Sequence, residues 1–185
     1  MAYLYNQNCF LVATEVHIGL SRDTLDSPLD NHSIIDVCGV GEKYIPWHLR
    51  SDSLTIDSHD GSRTPYYKYN IIRGIEVKVS KADFQNGLVC SGCNYNYVML
   101  PEGLVWSSEV PKELGIIKVD IQNFHCQFHR EPELRFDFEG VRLLRKPTFQ
   151  QIKQYQIDNV LASIAKRATI DLMKKVAEKL AVISK

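Results

Sequence analysis

The stretch RGIEVKVSKADF, from Arg73 to Phe84, alternates in polarity and then stops alternating. In a strand, Ile75, Val77 and Val79 face one side, and Glu76, Lys78 and Ser80 face the other. An acid and a base on one face of a central strand are costly unless something pairs them. Water pairs them on an open face, and a metal ion pairs them in a site. A second acid, Asp36, stands alone inside the apolar segment SIIDVCGV. If the two segments are neighbouring strands, Asp36 and Glu76 converge on an all-oxygen site suited to Mg2+ (or Mn2+) with several waters retained. Lys78 then lies within reach of whatever the ion holds. Such an ion lowers the pKa of bound water and polarises a phosphoryl oxygen. A nearby ammonium orients or helps to deprotonate the water and offsets developing charge. The chemistry is phosphodiester hydrolysis. The E-x-K spacing alone arises more often from an ordinary Glu–Lys pair on a solvated strand.

Elements must position these residues. NCFLVATEVHIGLSRD places Cys9, Ala13, Val16 and Leu20 at helical spacing, with Gly19 suited to the helix end. SIIDVCGV and NIIRGIEVKVS read as strands. Residues 41–68 are polar, with Pro46, Gly61 and Pro65, and read as a long loop or irregular hairpin insertion. KADFQNGLVC begins a short helix or turn. YNYVMLP and GIIKVDI are further strands, and LRFDFEGVRLLR suggests a hairpin. Pro147 and Thr148 open a long helix, with Thr148 and Gln151 at capping-box spacing. Its apolar stripe is Ile157, Val160, Leu161, Ile164, Ala168, Leu172, Val176 and Leu180. This order predicts an α/β fold, a mixed central sheet flanked by helices. The domain reading is a core over 1–146 with an insertion at about 41–68, and a C-terminal helix over 147–185 packed on it.

Composition bounds the rest. The 185 residues are 44% hydrophobic and 24% charged, enough for a sizeable core in a single domain. No apolar run approaches the roughly 20 residues of a membrane span, and the N-terminus lacks a signal-peptide pattern. Five cysteines, an odd number without a dense framework, fit a reducing compartment. The expectation is a soluble, cytoplasmic protein of a bacterial or phage-infected cell. The net charge of zero hides an asymmetry: Arg142 to Lys185 holds ten Lys/Arg and three Asp/Glu, +7, leaving −7 on the body. A basic tail on an acidic body suits a polyanion such as DNA, although a solvated helix face has the same composition.

An Asp in one strand followed by Glu-x-Lys in the next resembles the PD-(D/E)XK nuclease superfamily. More narrowly, IEVKVSKADF, NYNYVMLPEGLV, LGIIKVD and the closing RLLRKP look like the MmcB-type DNA-repair proteins and related phage-encoded nucleases. The resemblance implies a restriction-endonuclease-like αβββαβ core, with Asp36, Glu76 and Lys78 as catalytic positions and Asp36 and Glu76 as metal ligands. It implies further roles for Ser80, Lys81 and Asp83. Glu15, on the expected first helix, would add a metal contact as in many members of that superfamily, or would be a surface acid. No Pro precedes Asp36, and Asp57 and Asp60 in the long gap before Glu76 are rival first carboxylates. Asp57 sits in IDSHDGS, a turn-like context, which favours Asp36.

The residues offered to DNA are Ser80 and Lys81 beside the site, Arg145 and Lys146 in RLLRKP, and Lys166, Arg167, Lys174 and Lys175 on the C-terminal helix. That helix could instead form a homo-oligomer seam. Cys90 and Cys93, with Cys126 and His129 (or His125), have the spacing of a structural Zn2+ site, while buried thiols packing as small apolar groups are the commoner outcome. Tyr66, Tyr67, Tyr69, Tyr95 and Tyr97 are explained by packing as well as by base stacking. Trp47 and His48 lie in the insertion. There is no Gly-rich phosphate loop, no G-x-S-x-G and no paired His metalloprotease motif. Two functions stand against each other: a Mg2+-dependent deoxyribonuclease, in DNA repair or phage DNA processing, and a catalytically inactive nucleic-acid- or protein-binding module on the same fold, with or without zinc.

Overall fold

The computed structural model describes residues 1–18, 33–46, 66–88, 92–130 and 135–183. Element order is α1 (Ala2–Asn6), β1 (Cys9–Ile18), β2 (Ser33–Pro46), β3 (Tyr66–Val77), α2 (Lys81–Gln85), β4 (Tyr95–Pro101), β5 (Gly115–Val119), β6 (His125–His129), β7 (Arg135–Glu139), β8 (Val141–Arg145) and α3 (Gln154–Ile183). Six strands form one sheet in the order β1-β2-β3-β4-β5-β8, and β6 and β7 form a separate two-stranded sheet. β1, β2 and β3 are a meander of antiparallel pairs. β3, β4 and β5 are parallel, and β8 closes the edge antiparallel to β5. The protein is therefore α/β, with a mixed central sheet and a long C-terminal helix. Asp57, Asp60, Trp47, His48 and Cys90 lie outside the described residues.

Both faces of the sheet are covered. On one, Ile35, Cys38, Val40 and Ile72 pack under Ile157, Val160 and Ile164 of α3. Farther along that face Val98, Leu100 and Ile116 pack under Phe84, Leu88, Val105 and Val110. On the other, Val37, Ile75, Tyr97 and Ile117 meet Leu4 and Tyr3 of α1. Asn6 ties α1 to the small sheet: its side chain donates to the Phe136 carbonyl and accepts from the Phe136 N–H at 3.2 Å, imitating a strand partner.

Three expectations need correction. Residues 9–18 are a strand, not a helix. The helical spacing of Cys9, Ala13 and Val16 is produced by irregularities of the strand: a register shift between Cys9 and Leu11, and Glu15 at φ +52. Those breaks put Ala13 and Val16 on the α3 face and Cys9 on the other. Second, β7 and β8 do not pair with one another. Gly140, at φ +73, turns the chain so that β8 joins β5 while β7 pairs with β6. Positive φ is a glycine conformation. Third, the long helix starts at Gln154, not near Thr148. Thr148 N–H and Gln150 N–H donate instead to the carbonyls of Glu113 and Asn94, which holds this segment out of helix. The helix start is capped by Gln156, whose side chain accepts from Lys153 N–H at 2.9 Å. In the insertion, residues 41–46 and 66–68 are arms of the β2–β3 pair.

Only the first part of α3 is packed. Ile157 and Val160 are fully buried and Ile164 nearly so, whereas Leu172, Met173 and Val176 are exposed. Truncating Ile157 to Ala should remove buried surface and leave a cavity, costing about 2–5 kcal/mol. Leu172→Ala should stay within roughly 0.5 kcal/mol of the parent. Urea unfolding of the two variants checks the contrast, and equal losses would contradict the half-packed helix.

Candidate active site

The antiparallel ladder of β2 and β3 ends at the rung Val37↔Ile75. One rung further would face Asp36 with Glu76, and there the strands part. The N–H of Val77 loses its backbone partner and donates to Asp36 Oδ2 at 2.7 Å. Beyond it Lys78 N–H bonds the Met99 carbonyl of β4, so β3 stays tied to its parallel neighbour while β2 leaves. Asp36 thus lies at a fork, on the backbone between Glu76 and Lys78.

Glu76 and Lys78 are both buried, 6% and 7% exposed. Lys78 Nζ lies 3.0 Å from Glu76 Oε1 and 3.4 Å from Asp83 Oδ1. Asp83 comes from α2, the short helix that follows β3. Ser80 caps it, its Oγ accepting from Asp83 N–H at 3.1 Å, and Asp83 Oδ2 accepts from Val79 N–H at 3.1 Å. The cap brings the Asp83 carboxylate back over Lys78. Burial alone would lower the Lys78 pKa; the hydrogen bonds and charges of Glu76, then Asp83, more than offset it and raise it above 10.5. Lys78 is therefore an ammonium at neutral pH.

The structure thus brings Asp36, Glu76, Lys78, Ser80 and Asp83 to one strand end, with Lys81 exposed beside them. Their donor chemistry fits a hard divalent cation, because the acids at the fork present oxygen alone. Among the described residues no group of three or more His, Cys, Asp or Glu is gathered to hold a metal ion. A Mg2+ held by two carboxylates and waters needs fewer protein ligands than that.

Other expected site residues are placed elsewhere. Glu15 is on β1 rather than a helix, and its carboxylate pairs with Arg167 of α3 at 2.6 Å. Arg167 also meets Asp171 at 3.5 Å, so this Arg fastens α3 to β1. Arg145 donates to the carbonyls of Leu114 at 2.9 Å, Val110 at 3.2 Å and Pro111, and so braces the 110–114 turn. Lys146, Lys166, Lys174 and Lys175 are exposed. The zinc set does not assemble among the described residues. Cys93 is buried under α3 against Gly74, Cys126 is exposed on the small sheet, and His129 pairs with Asp137 at 2.9 Å.

Three buried polar residues elsewhere in or beside the sheet escaped the sequence. Lys118 of β5 is 5% exposed and donates to the Val105 carbonyl at 3.0 Å. Burial lowers its pKa, against the opposing charges of Glu102 and Glu109. The strand alternation of GIIKVDI could have flagged it as it flagged Lys78. Asn94 and Asn96 are buried and hold the 148–153 segment. Asn94 accepts from Ile72 N–H and donates to the Gln150 carbonyl, and Asn96 donates to Gln150 Oε1.

No protein-family model and no curated protein matches the chain. Among solved structures it is similar to a protein of unknown function from Silicibacter pomeroyi, with a TM-score of 0.52 and 16% identity over 95% of this chain and 85% of that one. That likeness is one of fold. Among the described residues no helix is long and apolar enough to cross a membrane.

The raised Lys78 pKa fixes a sign. A lysine whose folded pKa lies above its unfolded value stabilises the fold fully below about pH 10.5, and that contribution is lost as pH rises through the folded pKa. Glu76→Gln should lower the Lys78 pKa toward its unfolded value. Titration of the lysine side-chain NMR signals reads both, and an unchanged Lys78 midpoint in the variant would mean that Glu76 is not its partner.

Proposed function

We propose that the chain is a metal-dependent deoxyribonuclease on a restriction-endonuclease-like core. The observation that carries this reading is the fork: a buried Glu-x-Lys at the end of β3 with an Asp from the neighbouring strand on the backbone between them. The run α1-β1-β2-β3-α2-β4 has the αβββαβ order, and this supports the same reading. Asp36 and Glu76 would hold Mg2+ or Mn2+. The ion would supply Lewis-acid polarisation of a phosphoryl oxygen and a bound water of lowered pKa. Lys78 stays protonated at neutral pH, which suits it to orienting the water and offsetting charge on the phosphoryl oxygens rather than to taking a proton. Asp83 and Ser80 hold the ammonium in place. DNA repair or phage DNA processing is the setting this reading suggests.

The rival is an inactive binding module, favoured by the same ion pair: Lys78 satisfied by two carboxylates also has a purely structural use. The two separate on activity. Cleavage of labelled DNA with Mg2+ or Mn2+ should fall at least a hundredfold in Lys78→Ala, on the order of a removed charge-stabilising donor. Glu76→Ala should in addition weaken metal binding measured by calorimetry. A parent that neither binds the ion nor cuts, or variants that cut as well as the parent, would reject the nuclease.

For DNA docking, Lys166, Lys174 and Lys175 of α3 are the exposed candidates, while Arg167 is occupied by Glu15 and Asp171. Reversing the three lysines to Glu should weaken duplex binding and flatten its salt dependence, by about 0.9 in log–log slope for each phosphate no longer neutralised. An unchanged slope in a folded variant would remove α3 from the DNA interface. The exposed Leu172, Met173 and Val176 would then favour a helix seam between copies.

A further inference from the structure

The turn that follows β4 carries an indole on the surface. Trp106 is 80% exposed, more than any other large hydrophobic residue described. Its backbone is nonetheless firmly held. Glu109 Oε1 accepts from Trp106 N–H at 2.7 Å, and Glu109 N–H donates to the Trp106 carbonyl at 3.0 Å, closing the 3-10 turn Ser107–Glu109. The preceding residue, Val105, is buried, and its carbonyl accepts from the buried Lys118 ammonium at 3.0 Å. A fixed backbone beneath an exposed aromatic ring suits a stacking contact, because little loop freedom is lost on binding.

The turn adjoins the candidate site. Leu104, Val105 and Val110 pack in one cluster with Phe84, the α2 residue next to Asp83, and with Leu88 just beyond α2. Both stand at the carboxyl ends of the parallel strands β3 and β4, where ligands of open α/β sheets bind. The residues that follow it in the chain, Ser107, Ser108 and Glu109, are polar, and Glu102 is tied to Arg142 at 3.1 Å. One ring amid polar residues is too small for a protein-docking patch or a membrane anchor, and it matches one planar face.

We infer that Trp106 stacks an unpaired nucleobase, so that the substrate of the proposed site is single-stranded DNA or the single-stranded end of a duplex. This rests on the nuclease reading for its substrate, but its test does not depend on cleavage. Trp47→Phe leaves Trp106 as the only indole of the two in the chain. Oligo(dT) added in EDTA should quench its fluorescence saturably, and a blunt duplex should not. By anisotropy of a labelled oligo(dT), Trp106→Ala should bind about tenfold more weakly, consistent with stacking on one aromatic ring, and Trp106→Phe should keep most of the affinity. A melt matching the parent checks that Trp106→Ala is folded. Unchanged emission at saturating oligonucleotide, equal quenching by blunt duplex, or emission that follows protein concentration alone would overturn the inference. Absence of metal-dependent cleavage with quenching intact would reject the nuclease and leave the stacking contact standing.

Discussion

The hydrogen bond from Val77 N–H to Asp36 Oδ2 replaces the ladder bond that β2 no longer makes. An interior N–H without a partner costs about 1–3 kcal/mol, so two central strands cannot simply separate. A carboxylate at the point of separation lets them. β2 then continues along β1 through Ile35↔Val16, and β3 continues along β4 through Val77↔Met99. The wedge between them is where Glu76 and Lys78 lie. A side chain that bonds the backbone has made the gap in the sheet that a site requires.

Charge inside that gap is balanced locally. Lys78 faces Glu76 and Asp83 within 3.0 and 3.4 Å, and its pKa rises despite burial. Lys118, two strands away on β5, is buried as deeply, but its hydrogen-bond acceptor is a carbonyl and its pKa falls. The same residue type in the same sheet is shifted in opposite directions because carboxylates reach one ammonium and only distant acids reach the other. Lys78 is thereby a fixed cation, and Lys118 a tie for the turn bearing Trp106.

The basic C-terminal segment divides by packing. Arg145 and Arg167 are drawn into the fold by carbonyls and by Glu15, since a guanidinium offers several donors in a plane and bridges separate elements. The lysines at 166, 174 and 175 stay outside. The +7 excess that marks this segment is offset at one point, where Glu15 of the body meets Arg167.

Local pattern determined the strands SIIDVCGV and YNYVMLP, the strand of NIIRGIEVKVS as far as Val77 and that of GIIKVDI as far as Val119, and the long helix with Ile157, Val160 and Ile164 inward. Period and side-chain type are enough for these, because alternation and the 3.6-residue repeat act within a few residues. Tertiary structure decided the rest. The strand over 9–18 looked helical because its bulges displaced the core residues. Gly140 sent β8 away from β7, and carbonyls of Glu113 and Asn94 delayed the start of α3 to Gln154. The pairing of Asp36 with Val77, the capture of Arg167 by Glu15 and the mounting of Trp106 through Lys118 each join separate elements of the chain. No local pattern encodes such contacts, because they form only when the sheet order sets which strand ends meet.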